Sequence, residues 1–368
     1  MRVLVLLGGR SSEHEISLLS GCFVATSLAA ARHEVVPVGI DREGRWFHLE
    51  GLPATRDPRT IALTDRAGPR AWLRPEPTGF LERAGAPPLD IDVVFPVLHG
   101  PHGEDGTVQG LLELCAVPYV GSGVTASAAC MDKSVQRALC RAAGLPLLDD
   151  ITVDRQAFHN DPDTVRHRIR DTLRRSGDAN VPLFVKPACM GSSVGISRVT
   201  DDAALGPALE TAFAYGDRVV VERGLVGPRE IELAVLEHPD GRVEVSPPGE
   251  IGVHHPDGFY SYAAKYLDAD GATRTIPAAL DPGLAHAARA LAHRAFAAMG
   301  CRGLARVDLF VDGDQLYLNE VNTMPGFTPI SMYPALWAAA GIDGPTLVDT
   351  LVRTATVRRV TGSHLIMG

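Results

Sequence analysis

At 368 residues the chain is long enough for two or three domains with substantial cores. Its formal net charge of -9, with no long basic run, argues against nucleic acid as the main partner, and no apolar stretch reaches transmembrane length. Six cysteines (Cys22, Cys115, Cys130, Cys140, Cys189, Cys301) form no CxxC pair and predict reduced thiols in the cytoplasm, while 13 histidines make no HExxH motif and give zinc no support.

In chain order, RVLVLL is too short an apolar run for a signal peptide, leads straight into turn residues and reads as a buried first strand. Ser12 and Glu15 have capping-box spacing and predict a helix through about Ala31, after which EVVPVGI is a second strand. This is the start of a parallel α/β domain. Residues from about 41 to 90 are rich in Pro, Gly and Arg with little periodicity, so an elaborated surface connection is expected. DVVFPVLHG then predicts a buried strand, GEDGTVQGLLELC a helix, and VPYVGSG a strand and turn. The turn Gly121-Ser122-Gly123-Val124-Thr125-Ala126 fits a GxGxxA dinucleotide fingerprint, but it comes late in its domain and no acidic residue closes the next strand.

A second domain is expected over residues 122–223. Helical patterns (ACMDKSVQRALCRAAG; DTVRHRIRDTLRRSG) precede the strand PLFVKP, the loop ACMGSSVG, the strand ISRV, a helix from about Ala203 to Tyr215, and the strand RVVVER. A third follows over 224–368, with REIELAVLEH and RVEVSPPGEI around the turn Pro239-Asp240-Gly241, a helix from about Pro282 to Met299, a hairpin, and a last helix near Leu347 to Val357. The final GSHLIMG has no packing pattern.

Of the 35 lysines and arginines, three are lysine (Lys133, Lys186, Lys265) and the other 32 arginine. A lysine that survives such a bias marks either chance or a place where a compact ammonium is needed, as at a phosphate cluster. Lys186 ends a strand just before Gly191-Ser192-Ser193-Val194-Gly195, a loop whose N–H groups could close over phosphate. The lysine precedes the glycines and no GK[ST] follows, which excludes a Walker A loop. RVVVERGL ends in Glu222 and Gly224, where backbone groups could meet an adenine edge, with Glu230 in reach of a ribose; the alternative for both glutamates is an ordinary exposed strand end.

The hairpin LARVDLFVDGDQLYLNEVNTMPGF carries Arg306, Asp308, Glu320 and Asn322 inside otherwise apolar strands. With a turn centred near Gly313, strand alternation sets Asp308 opposite a position close to Glu320, to within one residue of register. Paired carboxylates repel unless a cation lies between them, and an oxygen-only set of Asp, Glu and Asn suits a hard ion such as magnesium. The segment therefore reads either as a metal site or as a solvated sheet face with scattered charges.

The ordered set GGRSSEHEISLLSG, FPVLHGPHGEDGTVQG, CMDKS, VKPACMGSSVG, VERGLVGPREIELAV, YAAKY, GLARVDLF and LNEVNTMPGFTPISMYP resembles the D-alanine-D-alanine ligases of the ATP-grasp superfamily, over nearly the whole chain. The resemblance implies an ATP-grasp fold, mixing α/β and α+β parts, with an N-terminal parallel-sheet domain. It implies ATP and two magnesium ions as cofactors (manganese an alternative), D-alanine as substrate, a cytoplasmic homodimer paired through the first domain, and a role in peptidoglycan precursor synthesis. Carried over residue by residue, Asp308, Glu320 and Asn322 would hold the metals. Lys133 and Lys186 would contact phosphates and Lys265 would close over the γ-phosphate, while Glu222, Leu225 and Glu230 would take adenine and ribose. Glu13 would hold the ammonium of the first D-alanine with His99 nearby, and Ser331 and Met332 would receive the carboxylate of the second. Arg306 and the N–H of Gly326 would stabilise negative charge beneath a lid formed by the Ser192 loop and the Tyr266 segment. Where many such ligases carry YDYEAKY this chain has YSYAAKY, so two acids beside the lid are missing. Lys265 and Tyr266 favour a dipeptide ligase over relatives that make D-alanyl-D-lactate; the alternatives are D-lactate or D-serine as second substrate, and an inactive nucleotide-binding relative.

Overall fold

The computed structural model describes residues 1–52, 57–61, 63, 68–76, 79–174, 181–253 and 272–362. Strand β1 (Arg2–Gly8) is apolar without alternation because helix α1 (His14–Ala30) covers one face of its sheet and other parts of the chain cover the opposite face. It pairs in parallel with β2 (Glu34–Ile40) and β7 (Val93–Pro96), and β3 (Trp46–His48) adds an antiparallel edge, giving the order β3-β2-β1-β7. The expected capping box does not form. Helix α1 starts one residue later, with Glu13 at its N-cap and no side-chain cap. Ser11 is the hydroxyl that organises this turn, donating to the carbonyl of His99 (2.7 Å) and accepting from Glu13 N–H (3.1 Å), while Glu15 is drawn away to Arg42.

The stretch read as a surface connection carries four short strands. Besides β3, strands β4 (Ala71–Leu73), β5 (Phe80–Arg83) and β6 (Ala86–Asp90) form a three-stranded antiparallel sheet. Runs of three to five residues are too brief to establish a period of two, which is why composition dominated that reading. VPYVGSG likewise forms no strand; only an isolated bridge joins Val94 to Tyr119. It leads to α3 (Val124–Met131), which follows α2 (Thr107–Leu114). The helical pattern around CMDKS is two helices. Asp132 ends α3 and caps α4 (Lys133–Ala142) by accepting from Ser134 N (3.0 Å) and Val135 N (3.2 Å), and Lys133 N donates to the carbonyl of Ala188 (2.8 Å).

The next segment holds β8 (Asp150–Asp154), α5 (Arg155–Asn160), α6 (Pro162–Leu173), β9 (Leu183–Pro187), β10 (Ser197–Val199), α7 (Leu205–Phe213) and β11 (Arg218–Arg223). Its strands make an antiparallel sheet ordered β10-β9-β11-β8, with a core of its own against the helices. The largest sheet follows. Strands β12 (Arg229–Glu237), β13 (Val243–Val245), β14 (Gly249–Val253), β15 (Ala272–Thr275), β16 (Leu304–Asp312) and β17 (Gln315–Asn322) run antiparallel in the order β15-β14-β12-β16-β17, β13 pairing separately with β12. Helix α8 (Pro282–Ala298) covers one face and leaves the other for the site.

Helix α9 (Met332–Ala339) packs on β12, and α10 (Gly344–Gly362) returns to α1 and β7 of the amino-terminal unit. Trp337, Leu347 and Leu351 share a core with Val3 and Phe95, and Phe327 packs edge-on against Phe95 with ring centres 5.7 Å apart. The loop after β17 is thereby clamped to the amino-terminal sheet. Among the described residues no helix is long and apolar enough to cross a membrane.

Candidate active site

The β16–β17 hairpin places its polar residues through a bulge. From the Asp312–Gln315 pair, regular register runs to Leu309 opposite Leu318, and one further step would set Asn319 opposite Asp308. The irregularity between Asp308 and Leu309 absorbs Asn319, so that Glu320 faces Asp308 and Asn322 faces Arg306. On the other side β12 sets Glu232 directly opposite Asp308. Three carboxylates therefore cross three adjacent strands in one row. Arg306 lies among them: Nε and Nη2 donate to the two oxygens of Asp308 at 2.7 Å each, and Nε is 3.1 Å from Glu232. Burial alone would lower the pKa of Arg306, but Asp308 and Glu232 outweigh it and hold the guanidinium well above its ordinary value. The side-chain nitrogen of Asn322 donates to Asp308 (3.0 Å).

Facing this row is the edge of the middle sheet. Lys186, at the end of β9, reaches Glu222 on β11 with its ammonium, which is also 3.5 Å from Asn319 Oδ1. Lys133, the first residue of α4, donates to the carbonyl of Met190 (2.8 Å) and lies 3.6 Å from Glu320. Between the two sheets is a cavity of about 380 Å³ walled by both lysines, Glu222, Leu225, Glu230, Asp308 and Glu320, among others. Two ammonium groups, a cleft between sheets and a pair of opposed carboxylates make a site for a polyphosphate. In the loop over it, Ser192 and Ser193 adopt left-handed backbone (φ 48° and 59°), a conformation that non-glycine residues rarely hold without reason.

Ser192 links the cavity to the amino-terminal segment, its hydroxyl donating to Glu13. Glu13 also sits tightly against two glycines: a Cβ on Gly100 would lie 2.8 Å from its carboxylate, and one on Gly191 3.0 Å. His99, next to Gly100, is buried with Nδ1 3.1 Å from the carbonyl of Met324 and Nε2 3.0 Å from Ser20 Oγ, which in turn accepts from Phe327 N (3.1 Å). Burial pulls the pKa of His99 down, but Glu104, 3.5 Å away, more than offsets this and raises it. Beyond the hairpin, Gly326 has no room for a side chain, because a Cβ would come within 2.8 Å of Ser331 Oγ, which also accepts from Thr328 N (3.0 Å). The side chain of Met332 is buried in the core, so what this residue can offer a carboxylate is its backbone N–H in the first turn of α9.

Of the expected site residues that the structure describes, Lys133, Lys186, Glu222, Leu225, Glu230, Asp308 and Glu320 line the cavity, while Arg306 and Asn322 contact Asp308, and Ser192, next to the lining residue Ser193, contacts Glu13. His99, Gly326, Ser331 and Met332 are not brought to the cavity wall. Lys265 and Tyr266 lie outside the described residues. Sequence reasoning missed Glu104, Glu232 and Asn319; the acid in GEDG and the second acid in REIE carried a signal, whereas the bulge at Asn319 carried none. Among the described residues no three His, Cys, Asp or Glu side chains converge as metal ligands. The donor set nevertheless fits magnesium, which takes one or two carboxylates and fills its remaining positions with phosphate oxygens and water.

The family model described as D-ala D-ala ligase N-terminus matches residues 2–122, and that described as D-ala D-ala ligase C-terminus matches residues 139–353. A curated D-alanine--D-alanine ligase from Methylobacterium sp. (strain 4-46) is 48% identical over 363 residues, covering 97% of this chain and 91% of the relative. Among solved structures, the D-alanine-D-alanine ligase from Coxiella burnetii superimposes with a TM-score of 0.81 at 32% identity, covering 100% of this chain and 98% of the other. The VanG D-Ala:D-Ser ligase from Enterococcus faecalis gives a TM-score of 0.81 at 30% identity, covering 96% and 99%.

Proposed function

Because the chain belongs to the D-alanine-D-alanine ligase family, we propose that it joins two D-alanine molecules into D-alanyl-D-alanine at the expense of ATP, for peptidoglycan precursor synthesis. Its fold is the α+β ATP-grasp fold behind an amino-terminal parallel sheet. The observation that carries the reading is the link from the lysine-lined cavity, walled in part by Ser193, through Ser192 to the carboxylate of Glu13, which supports reading Glu13 as the ammonium-binding group beside a phosphate site.

In this reading Glu222, the backbone at Leu225, and Glu230 bind adenine and ribose, and Lys133 and Lys186 bind phosphates. Lys265 closes over the γ-phosphate from its segment. Asp308, Glu320 and Asn322 hold two magnesium ions (or manganese), which when bound neutralise charge on the phosphate oxygens. Glu13 holds the ammonium of the first D-alanine, with His99 supporting the same region, so that the substrate carboxylate is presented to the γ-phosphorus. Its attack releases ADP and leaves an acyl phosphate. The neutral amine of the second D-alanine, its carboxylate received at Ser331 and the N–H of Met332, then attacks the acyl carbon; phosphate leaves and the amine loses a proton.

Each step develops negative charge. The N–H groups of Arg306 not engaged with Asp308, together with the N–H of Gly326, stabilise it. The Ser192 loop and Tyr266 exclude water that would hydrolyse the acyl phosphate. We also propose functional units at 1–121, 122–223 and 224–368 and a cytoplasmic homodimer paired through the first; sedimentation would test the latter.

The deciding experiment measures ADP release with D-alanine alone, then identifies products by mass spectrometry from equal D-alanine, D-serine and D-lactate. D-Alanyl-D-alanine as the main product is expected. A D-serine or D-lactate product in excess would move the assignment to a ligase with another second substrate, and no ADP release with any of them would make the chain an inactive nucleotide binder.

A further inference from the structure

Asp150 and Glu222 stand directly opposite each other on the neighbouring strands β8 and β11, and both side chains are buried. Two carboxylates so placed repel strongly unless a cation is shared between them. That cation is Arg137. Its Nη1 reaches Glu222 Oε1, its Nη2 donates to the carbonyl of Leu148 (2.6 Å), and its Nε lies 2.7 Å from Asp150 as an ion pair, off the line of a hydrogen bond. Arg141, one turn further along α4, also pairs with Asp150, while Lys186 takes the other oxygen of Glu222. The two oxygens of Glu222 are therefore held by two different cations. Burial works against the charged form of Glu222, but Arg137 and Lys186 prevail and lower its pKa below the ordinary value.

Arg137 is itself buried and forms no part of the cavity wall, whereas Glu222 and Leu148 do. Helical spacing sets it on the same face of α4 as Lys133, whose ammonium is in the cavity. It cannot touch a ligand there, but it controls a group that can. A carboxylate only accepts hydrogen bonds, so a Glu222 that cannot swing aside welcomes a base with an exocyclic amine and opposes one with a carbonyl at the same place. The planar fork suits this task because it spans two carboxylates and a backbone carbonyl at once, which an ammonium cannot do in one geometry.

We propose that Arg137 is a positioning residue for nucleobase selectivity, fixing Glu222 so that the cavity distinguishes a 6-aminopurine from a 6-oxopurine nucleotide. This rests on the reading of the cavity as the nucleotide site. The test compares kcat/KM for ATP and ITP in the full-length parent and in Arg137→Gln, Arg137→Lys and Glu222→Gln, alongside thermal unfolding. Arg137→Gln should lower the ATP:ITP ratio about tenfold or more, mainly through KM for ATP, with kcat at saturating ATP within about threefold and Arg137→Lys intermediate. A purely structural arginine would lower the melting temperature and leave the ratio alone. If removing the cation that bridges two opposed carboxylates prevents folding, Arg137→Gln combined with Asp150→Asn removes one of them, and the same ratio is read against Asp150→Asn. A ratio that falls in Glu222→Gln but holds in every Arg137 variant overturns the inference while the nucleotide reading stands. A ratio unchanged even in Glu222→Gln removes Glu222 from base recognition and overturns both.

Discussion

Replacing Glu320 by glutamine removes one charge from the carboxylate row, with very unequal consequences expected for folding and for chemistry. In the ligand-free chain Glu320 gains from Lys133, 3.6 Å away, and loses to Asp308, its direct cross-strand partner. At an effective dielectric constant of about 20, the first interaction is about 5 kcal/mol attractive, and a carboxylate pair at about 5 Å is about 3 kcal/mol repulsive before Arg306 compensates Asp308. Desolvation of the ammonium and carboxylate offsets most of what remains, because both groups are partly buried. The net effect on stability should be about 1 kcal/mol or less. Turnover depends instead on charge that appears only in the transition state, so if Glu320 holds magnesium as proposed, its loss should cost about 4 kcal/mol, or about a thousandfold in kcat, with nucleotide affinity less affected. The assays are thermal or urea unfolding without ligand and coupled ADP release at saturating magnesium. Near-parent turnover would refute the metal assignment. A stability loss above about 3 kcal/mol with a proportionate loss of folded enzyme would show Glu320 to be a structural anchor instead.

Lys186→Arg keeps the charge but forces a broad fork into the space between Glu222, Phe184 and Asn319, so KM for ATP should rise about tenfold; identical ATP saturation curves would end the argument from lysine scarcity. Cys189 is exposed, yet burial of its sulfur and the neighbouring Asp132 push its thiol up to about 11. Alkylation at pH 8 should therefore be about two orders of magnitude slower than for a free thiol and should accelerate about tenfold per pH unit toward pH 10; rapid labelling at pH 8, located by peptide mapping, would contradict this. Trp337→Ala empties a fully buried site on α9, in the core that joins β12 and the last helix to the first sheet, and should destabilise the fold by about 3–5 kcal/mol with KM for ATP unchanged in the folded fraction, measured by urea unfolding and initial rates.

Local chemistry was sufficient for what depends on near neighbours. Continuous apolar runs marked β1, β2 and β7, the Asp312-Gly313-Asp314 turn marked the hairpin, and an arginine-rich composition made Lys133 and Lys186 conspicuous. Motifs in a fixed order then identified the family, and with it nominated the residues proposed for the site. Short strands between residues 46 and 90 escaped because three to five residues hold too little periodicity, and the Ser12–Glu15 capping box failed because the helix begins one residue later, with Glu13 at its N-cap, and Glu15 pairs with Arg42.

What tertiary structure alone decided are the distances between parts far apart in the chain. Strand alternation treats Asn319 and Glu320 as equal candidates to face Asp308; only the bulge, a property of the paired strands, selects Glu320. Glu232 joins the row because β12 pairs with β16, and Glu13 meets Ser192 across 179 residues of sequence. Arg137, Asp150 and Glu222 lie apart in sequence and come together only when β8 and β11 pair and α4 lies across them. Propensity and patterning are sums over neighbouring residues, whereas electrostatic placement depends on which segments share a sheet, and that is settled only when the whole core packs.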